Sequence, residues 1–186
     1  YGDILMILYN QIKPYETLSG ETDILTNKWI ARLKSGIISG ELLSCSKMKC
    51  MFDKISSDFA EIKIQKSKPL IGIVGELYIK YCHLGNHNLY NFLEKEGVGF
   101  YVNGFSWYIL YYMDTHLTEN ITGIAFKVIM SYLQNIQKEM SECIKCYGFV
   151  CAEEYSSFKK SAEGFVSLKC GIADGWLIGG EIVNLY

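Results

Sequence analysis

The chain has 186 residues, enough for one domain with a proper core or one domain with a helical appendage. Its hydrophobic content of 49% and charged content of 20% are those of an ordinary globular protein, and no low-complexity segment occurs. A net charge of -2, with lysines and arginines scattered, gives no electrostatic footing for nucleic acid or an anionic membrane surface.

In chain order, Ile4, Leu5, Ile7, Leu8 and Ile12 fall on one helical face. Pro14 stops that helix, because proline disfavours helical geometry in the residue before it. Ser19 and Gly20 make a turn, and Thr22 is placed to cap a second helix. Ile24, Leu25, Trp29, Ile30 and Leu33 stripe that helix as far as Gly36. A third helix is expected over 41–62, striped by Leu42, Cys45, Met48, Met51, Phe52, Ile55 and Phe59. Residues 1–66 thus read as a helical segment with enough apolar surface for a small layer. Lys63, Lys66 and Lys68 form a short basic run, read as a solvated connection.

The pattern changes at Pro69. Leu70, Ile71, Gly72, Ile73 and Val74 are a short apolar run bounded by Pro69 and Gly75, which predicts a strand buried on both faces. A polar loop follows, then a helix over about 88–96 stopped by Gly97, then a second short strand at Phe100, Tyr101 and Val102. Residues 69–102 form a βαβ unit, which implies parallel pairing. Helices are expected over 105–117, 122–146, 153–168 and 176–186. Phe126, Ile129, Met130, Leu133, Ile136 and Met140 give the inner face of the second of these, and Trp107 and Trp176 read as core anchors. The fold class is therefore α/β and helix-rich. A short parallel Rossmann- or flavodoxin-like βαβ core lies within residues 67–186 and is flanked by helices. Two strands do not make a stable sheet by themselves, so the sheet is expected to be incomplete.

The most apolar stretch, 98–113, is interrupted by Asn103, Gly104 and Ser106 and is too short for a membrane span. No secretory leader precedes the first helix, and both ends read as cuts within a longer chain. The expected location is the cytoplasm, where the seven cysteines stay reduced. The sequon Asn120-Ile121-Thr122 then has no glycosylation to receive.

Three segments carry a resemblance. The first runs Pro69-Leu-Ile-Gly-Ile-Val-Gly-Glu-Leu-Tyr-Ile-Lys80, then Asn86-His-Asn-Leu89, then Leu93-Glu-Lys-Glu-Gly97. The second is Pro14-Tyr15-Glu16 with Gly20-Glu21-Thr22-Asp23. The third is Gly175-Trp-Leu-Ile-Gly-Gly-Glu181. In order and spacing they resemble the 2-hydroxyacyl-CoA dehydratase superfamily, and more closely its activase-related, D-component-like branch. The resemblance implies a parent protein with one-electron chemistry on a [4Fe-4S] cluster, fed by an ATP-hydrolysing activator. The iron–sulfur cysteine of the family is expected beyond Tyr186. No phosphate-cradling Gly-x-x-x-x-Gly-Lys loop of an activator occurs here. On this reading the chain is a scaffold, not catalytic alone and holding no cofactor itself. Its partners are the remaining domains of the parent or the dehydratase subunits, with acyl-CoA as a further ligand.

In open parallel sheets ligands bind at the carboxyl ends of the strands. The tip after the first strand, with Gly75, Glu76, Tyr78, Asn86 and Asn88, is the candidate ligand site, where a CoA phosphate would meet a helix start. The plainer reading of the same residues is an Asn helix cap, a tight turn and a Glu paired with a nearby Lys. A second hypothesis is a metal or iron–sulfur redox module built on Cys143, Cys146, Cys151 and Cys170, although a strong zinc signature has two Cys-x-x-Cys pairs and this has one. Cys82, His83 and His87 form a weaker metal constellation. A third hypothesis is a plain structural or interaction domain, with self-association through the 177–186 helix giving a homodimer.

Overall fold

A computed structural model describes residues 1–42, 44–65, 69–117 and 124–185. The Asn120-Ile121-Thr122 sequon, Lys66, Lys68 and Tyr186 lie outside them.

Helix α1 spans Gly2–Ile12, followed by a tight 3-10 turn over Lys13–Tyr15 that holds Pro14. Helix α2 spans Glu21–Ile38. Its start is capped by Glu16 and not by Thr22: the Glu16 carboxylate accepts from the backbone N–H groups of Gly20 (2.7 Å) and Thr22 (2.8 Å). A carboxylate at a helix start satisfies orphan donors and complements the helix dipole. Helix α3 spans Cys45–Ala60, shorter at both ends than its apolar stripe suggested.

Strand β1 (Ile71–Ile73) and strand β2 (Phe100–Val102) pair in parallel, Ile71 opposite Phe100 and Ile73 opposite Val102. The crossover holds two short helices, α4 (Leu77–Tyr81), where a loop was expected, and α5 (Leu89–Lys95). Among the described residues the sheet has these two strands only. The molecule is thus a helix-rich α/β fold around a small open parallel sheet. β2 is fully buried, whereas the expectation that β1 is buried on both faces fails, since Ile71 is 42% exposed. Helix α1 packs on β2, which covers one side of the sheet. The far edge of β1 pairs with no strand among the described residues.

Helix α6 spans Phe105–Tyr112 and runs into a π-turn over Met113–Leu117. Then come α7 (Ile124–Cys146), α8 (Tyr155–Glu163) and α9 (Gly175–Leu185). On α7, Phe126, Met130 and Met140 face the core as expected, but Ile129 is 50% exposed. Trp107 and Trp176 are buried, and the rings of Tyr111, Tyr155 and Phe158 surround Trp176 at 5.1–6.5 Å. Aromatic groups packed this way dominate core energetics. One apolar cluster runs through α1, α2, α3, β2 and α6 to α9. The N-terminal helices share it, with α3 lying along α7. Helix α9 packs its Trp176 and Leu177 inward against α8, while Ile182 on the same helix is 56% exposed. Among the described residues no helix is long and apolar enough to cross a membrane.

Candidate functional site at the strand ends

The chain leaves β1 through Gly75 and Glu76 into α4, and leaves β2 through Asn103 and Gly104 into α6. Two helix starts therefore meet at the carboxyl edge of the sheet, the place where open α/β folds hold anions. Both are filled by the chain's own carboxylates. Asp174 accepts from the N–H of Leu77 at 2.6 Å. Asp3 accepts from Phe105 at 3.0 Å and Ser106 at 2.8 Å. A Cβ on Gly104 would stand 2.6 Å from the Asp3 carboxylate, so only glycine lets Asp3 come this close.

Beneath the helix starts lies a buried ion pair between the Lys80 ammonium and the Glu181 carboxylate. Their side chains are 2% and 3% exposed. Burial pushes the Glu181 carboxyl above its ordinary value, against the opposing effects of Lys80, the Asn103 side chain and the Gly75 backbone. Polar groups close around the pair. Tyr81 donates its hydroxyl hydrogen to the Asn103 carbonyl. Tyr101 donates to Asn103 Oδ1 (3.0 Å) and accepts from the Ala152 N–H (2.9 Å). The Lys80 carbonyl accepts from Tyr90 (2.6 Å) and Asn86 (3.3 Å). Burial raises the Tyr81 and Tyr101 hydroxyls well above their usual range, so both remain proton donors.

The predicted ligand tip divides around this network. Gly75 and Asn86 lie against it. Glu76 caps α4 by accepting from Ile79 (2.9 Å), and Asn86 Oδ1 accepts from Leu89 (3.2 Å) at the start of α5. Tyr78 is 52% exposed, and Asn88 is exposed with a left-handed backbone. Tyr78 hydrogen-bonds the Cys82 thiol, and that thiol is held below its usual range first by the Gly85 backbone, then by Tyr78 and the Leu84 backbone.

Of the four candidate metal ligands, Cys143 and Cys151 are buried while Cys146 and Cys170 are exposed. Burial pushes the thiols of Cys143 and Cys151 up to about 11, which keeps them protonated at neutral pH. Among the described residues no three His, Cys, Asp or Glu side chains converge on a metal-sized point, and this covers Cys82, His83 and His87 as well.

The residues at the centre of the site are ones that sequence reasoning missed: Lys80, Glu181, Asp174, Asp3 and Asn103. A signal was present for two of them. Lys80 and Glu181 are single opposite charges in otherwise apolar runs, and an isolated charge there must find a partner. They also belong to two of the three resembling segments, so the ion pair joins those segments across 101 residues. The remaining segment reaches the sheet at its other end, where the Tyr15 hydroxyl accepts from the Gly99 N–H at 2.7 Å. No protein family, curated protein or solved structure matches the chain.

Proposed function

We propose that the chain is a scaffold domain of a 2-hydroxyacyl-CoA dehydratase-type protein, and that its task is to dock a partner domain that continues its sheet. The observation that carries this reading is β1. It is an apolar parallel strand, a kind found buried on both faces, yet Ile71 is 42% exposed and no strand among the described residues pairs with its outer edge. An open edge offers unpaired main-chain groups to an incoming strand. The resemblance names the partner class, the dehydratase subunits or further domains of the same protein, and it places the [4Fe-4S] cluster with them. The Lys80–Glu181 pair brings two of the resembling segments into contact. Acyl-CoA fits less well at the strand ends, where Asp174 and Asp3 already occupy the helix starts.

The test is amide hydrogen exchange at Gly72, whose N–H points to the outer edge because strand N–H groups alternate and that of Ile71 donates to the Gly99 carbonyl on the β2 side. It is measured on this chain alone and on the chain co-expressed with 2-hydroxyacyl-CoA dehydratase subunits. Rapid exchange alone and protection in the complex support docking. Protection in the isolated chain, or exchange unchanged in the presence of the subunits, refutes it.

A further inference from the structure

The docking role leaves a separate cavity unused. It has a volume of about 140 Å³ and lies between the end of α1, the loop after α4, helix α5 and the start of β2. Four aromatic side chains line it: Tyr9, His83, Tyr90 and Phe100. The Tyr90 and Phe100 rings pack with centroids 4.7 Å apart. Tyr90 is fixed by its hydrogen bond to the Lys80 carbonyl, so part of the wall is already ordered before any ligand arrives.

Glu94 follows Tyr90 by one turn of α5 and lines the same cavity. It is half-buried, and its carboxylate makes no hydrogen bond or ion pair among the described residues. Lys13 also lines the cavity, but it is already committed, with Glu16 and Asp23 each 2.6 Å from its ammonium. Of the two charged groups that line the space, Lys13 is thus neutralised by partners outside the lining, which leaves Glu94 as the charge without a counter-ion there. Aromatic faces add negative potential of their own.

We propose that this cavity binds a small organic cation of the alkylammonium class, held by the Glu94 carboxylate and the faces of Tyr9, Tyr90 and Phe100. The size suits an ammonium head with a short tail, since cavities for larger ligands run to about 300–1,000 Å³. An anion entering here would meet Glu94 in a partly dry site and be repelled.

Choline is the probe, titrated into the chain and followed through the aromatic carbon–proton resonances, with acetate as the probe of opposite charge. The variant is Glu94→Gln, which keeps the side-chain volume at a partly exposed helix position, with near-ultraviolet circular dichroism checking that the fold is intact. The expected result is a saturable shift confined to Tyr9, Tyr90 and Phe100, with binding about tenfold weaker in Glu94→Gln, the loss of a single charged contact. Absence of a saturable shift with choline overturns the proposal. So does undiminished choline binding by Glu94→Gln, or an equal response of the same rings to acetate.

Discussion

Replacing Lys80 by Met is the most demanding check on the strand-end site. The substitution keeps an unbranched chain in the space but leaves the Glu181 carboxylate, 3% exposed, without its counter-charge. Removing one partner of a buried ion pair costs about 3–5 kcal/mol. For a chain of this size each kcal/mol lowers the melting temperature by about 2–4 °C, so Lys80→Met should melt about 6–20 °C below the parent at neutral pH. The loss should depend on pH in a definite sense. Glu181 titrates above its ordinary 4.5 in the folded state because of burial, with Lys80 opposing the shift. A group raised in this way contributes stability that is full below its unfolded value and is lost as pH rises through its folded value. Taking Lys80 away raises Glu181 further, so the loss on going from acid to neutral pH must be larger in the variant. The gap between the two melting curves should therefore narrow as pH falls toward 4.5. Adding Glu181→Leu should recover most of the stability, since a buried pair replaced by apolar side chains is often neutral. Scanning calorimetry across the pH range measures all three quantities. A variant within about 1 kcal/mol of the parent at neutral pH, or a gap that does not narrow in acid, would refute the reasoning.

Three further outcomes are expected. Gly175→Ala should lower stability by about 1–3 kcal/mol, read as a lower urea midpoint at unchanged slope, because a Cβ there would stand 1.8 Å from the Cys170 carbonyl oxygen. In timed alkylation with iodoacetamide, read by peptide mass spectrometry, Cys82 should react well ahead of Cys143 and Cys151, whose thiols burial raises to about 11. Glu16→Gln should cost about 0.5–2 kcal/mol at neutral pH through the lost cap of α2. Burial alone would raise the Glu16 carboxyl, but Lys13 and the Gly20 and Thr22 N–H groups hold it at about 2. The parent's advantage over Glu16→Gln should accordingly be full above 4.5 and fade as pH falls through about 2, as thermal melts can follow.

The sequence made the local features of the fold legible, and the long-range ones much less so. The turn at Gly20, the strand at Ile71–Ile73 and the stop of α5 before Gly97 all rest on short-range rules of backbone freedom and periodicity, and the structure has them near their expected places. Ile129 was misread because helical spacing gives a face, not what covers it, and Ile129 is left 50% exposed. The loop before Asn86 was expected to be irregular, but Glu76 caps its first turn into α4, a feature that the Glu76 and Ile79 spacing could have suggested. At the candidate site, Gly75 and Asn86 lie where the strand-end rule puts them, while Tyr78 and Asn88 take exposed positions. The carboxylates that fill the helix starts come from residues about a hundred positions away, Asp3 for α6 and Asp174 for α4. No local pattern announces such a partner.

Those distances also fix the order in which the molecule can be completed. Lys80 waits for Glu181, 101 residues later, and Gln11 waits for the backbone of Val150, 139 residues later. During synthesis Val150 and Glu181 must leave the ribosome before α1 and α4 have their final partners. Lys80 stays hydrated, and so holds its surroundings open, until α9 arrives. Helix α9 is thus the one that dries this part of the interior, and any stall before it leaves β1 and α1 both still available to neighbouring chains.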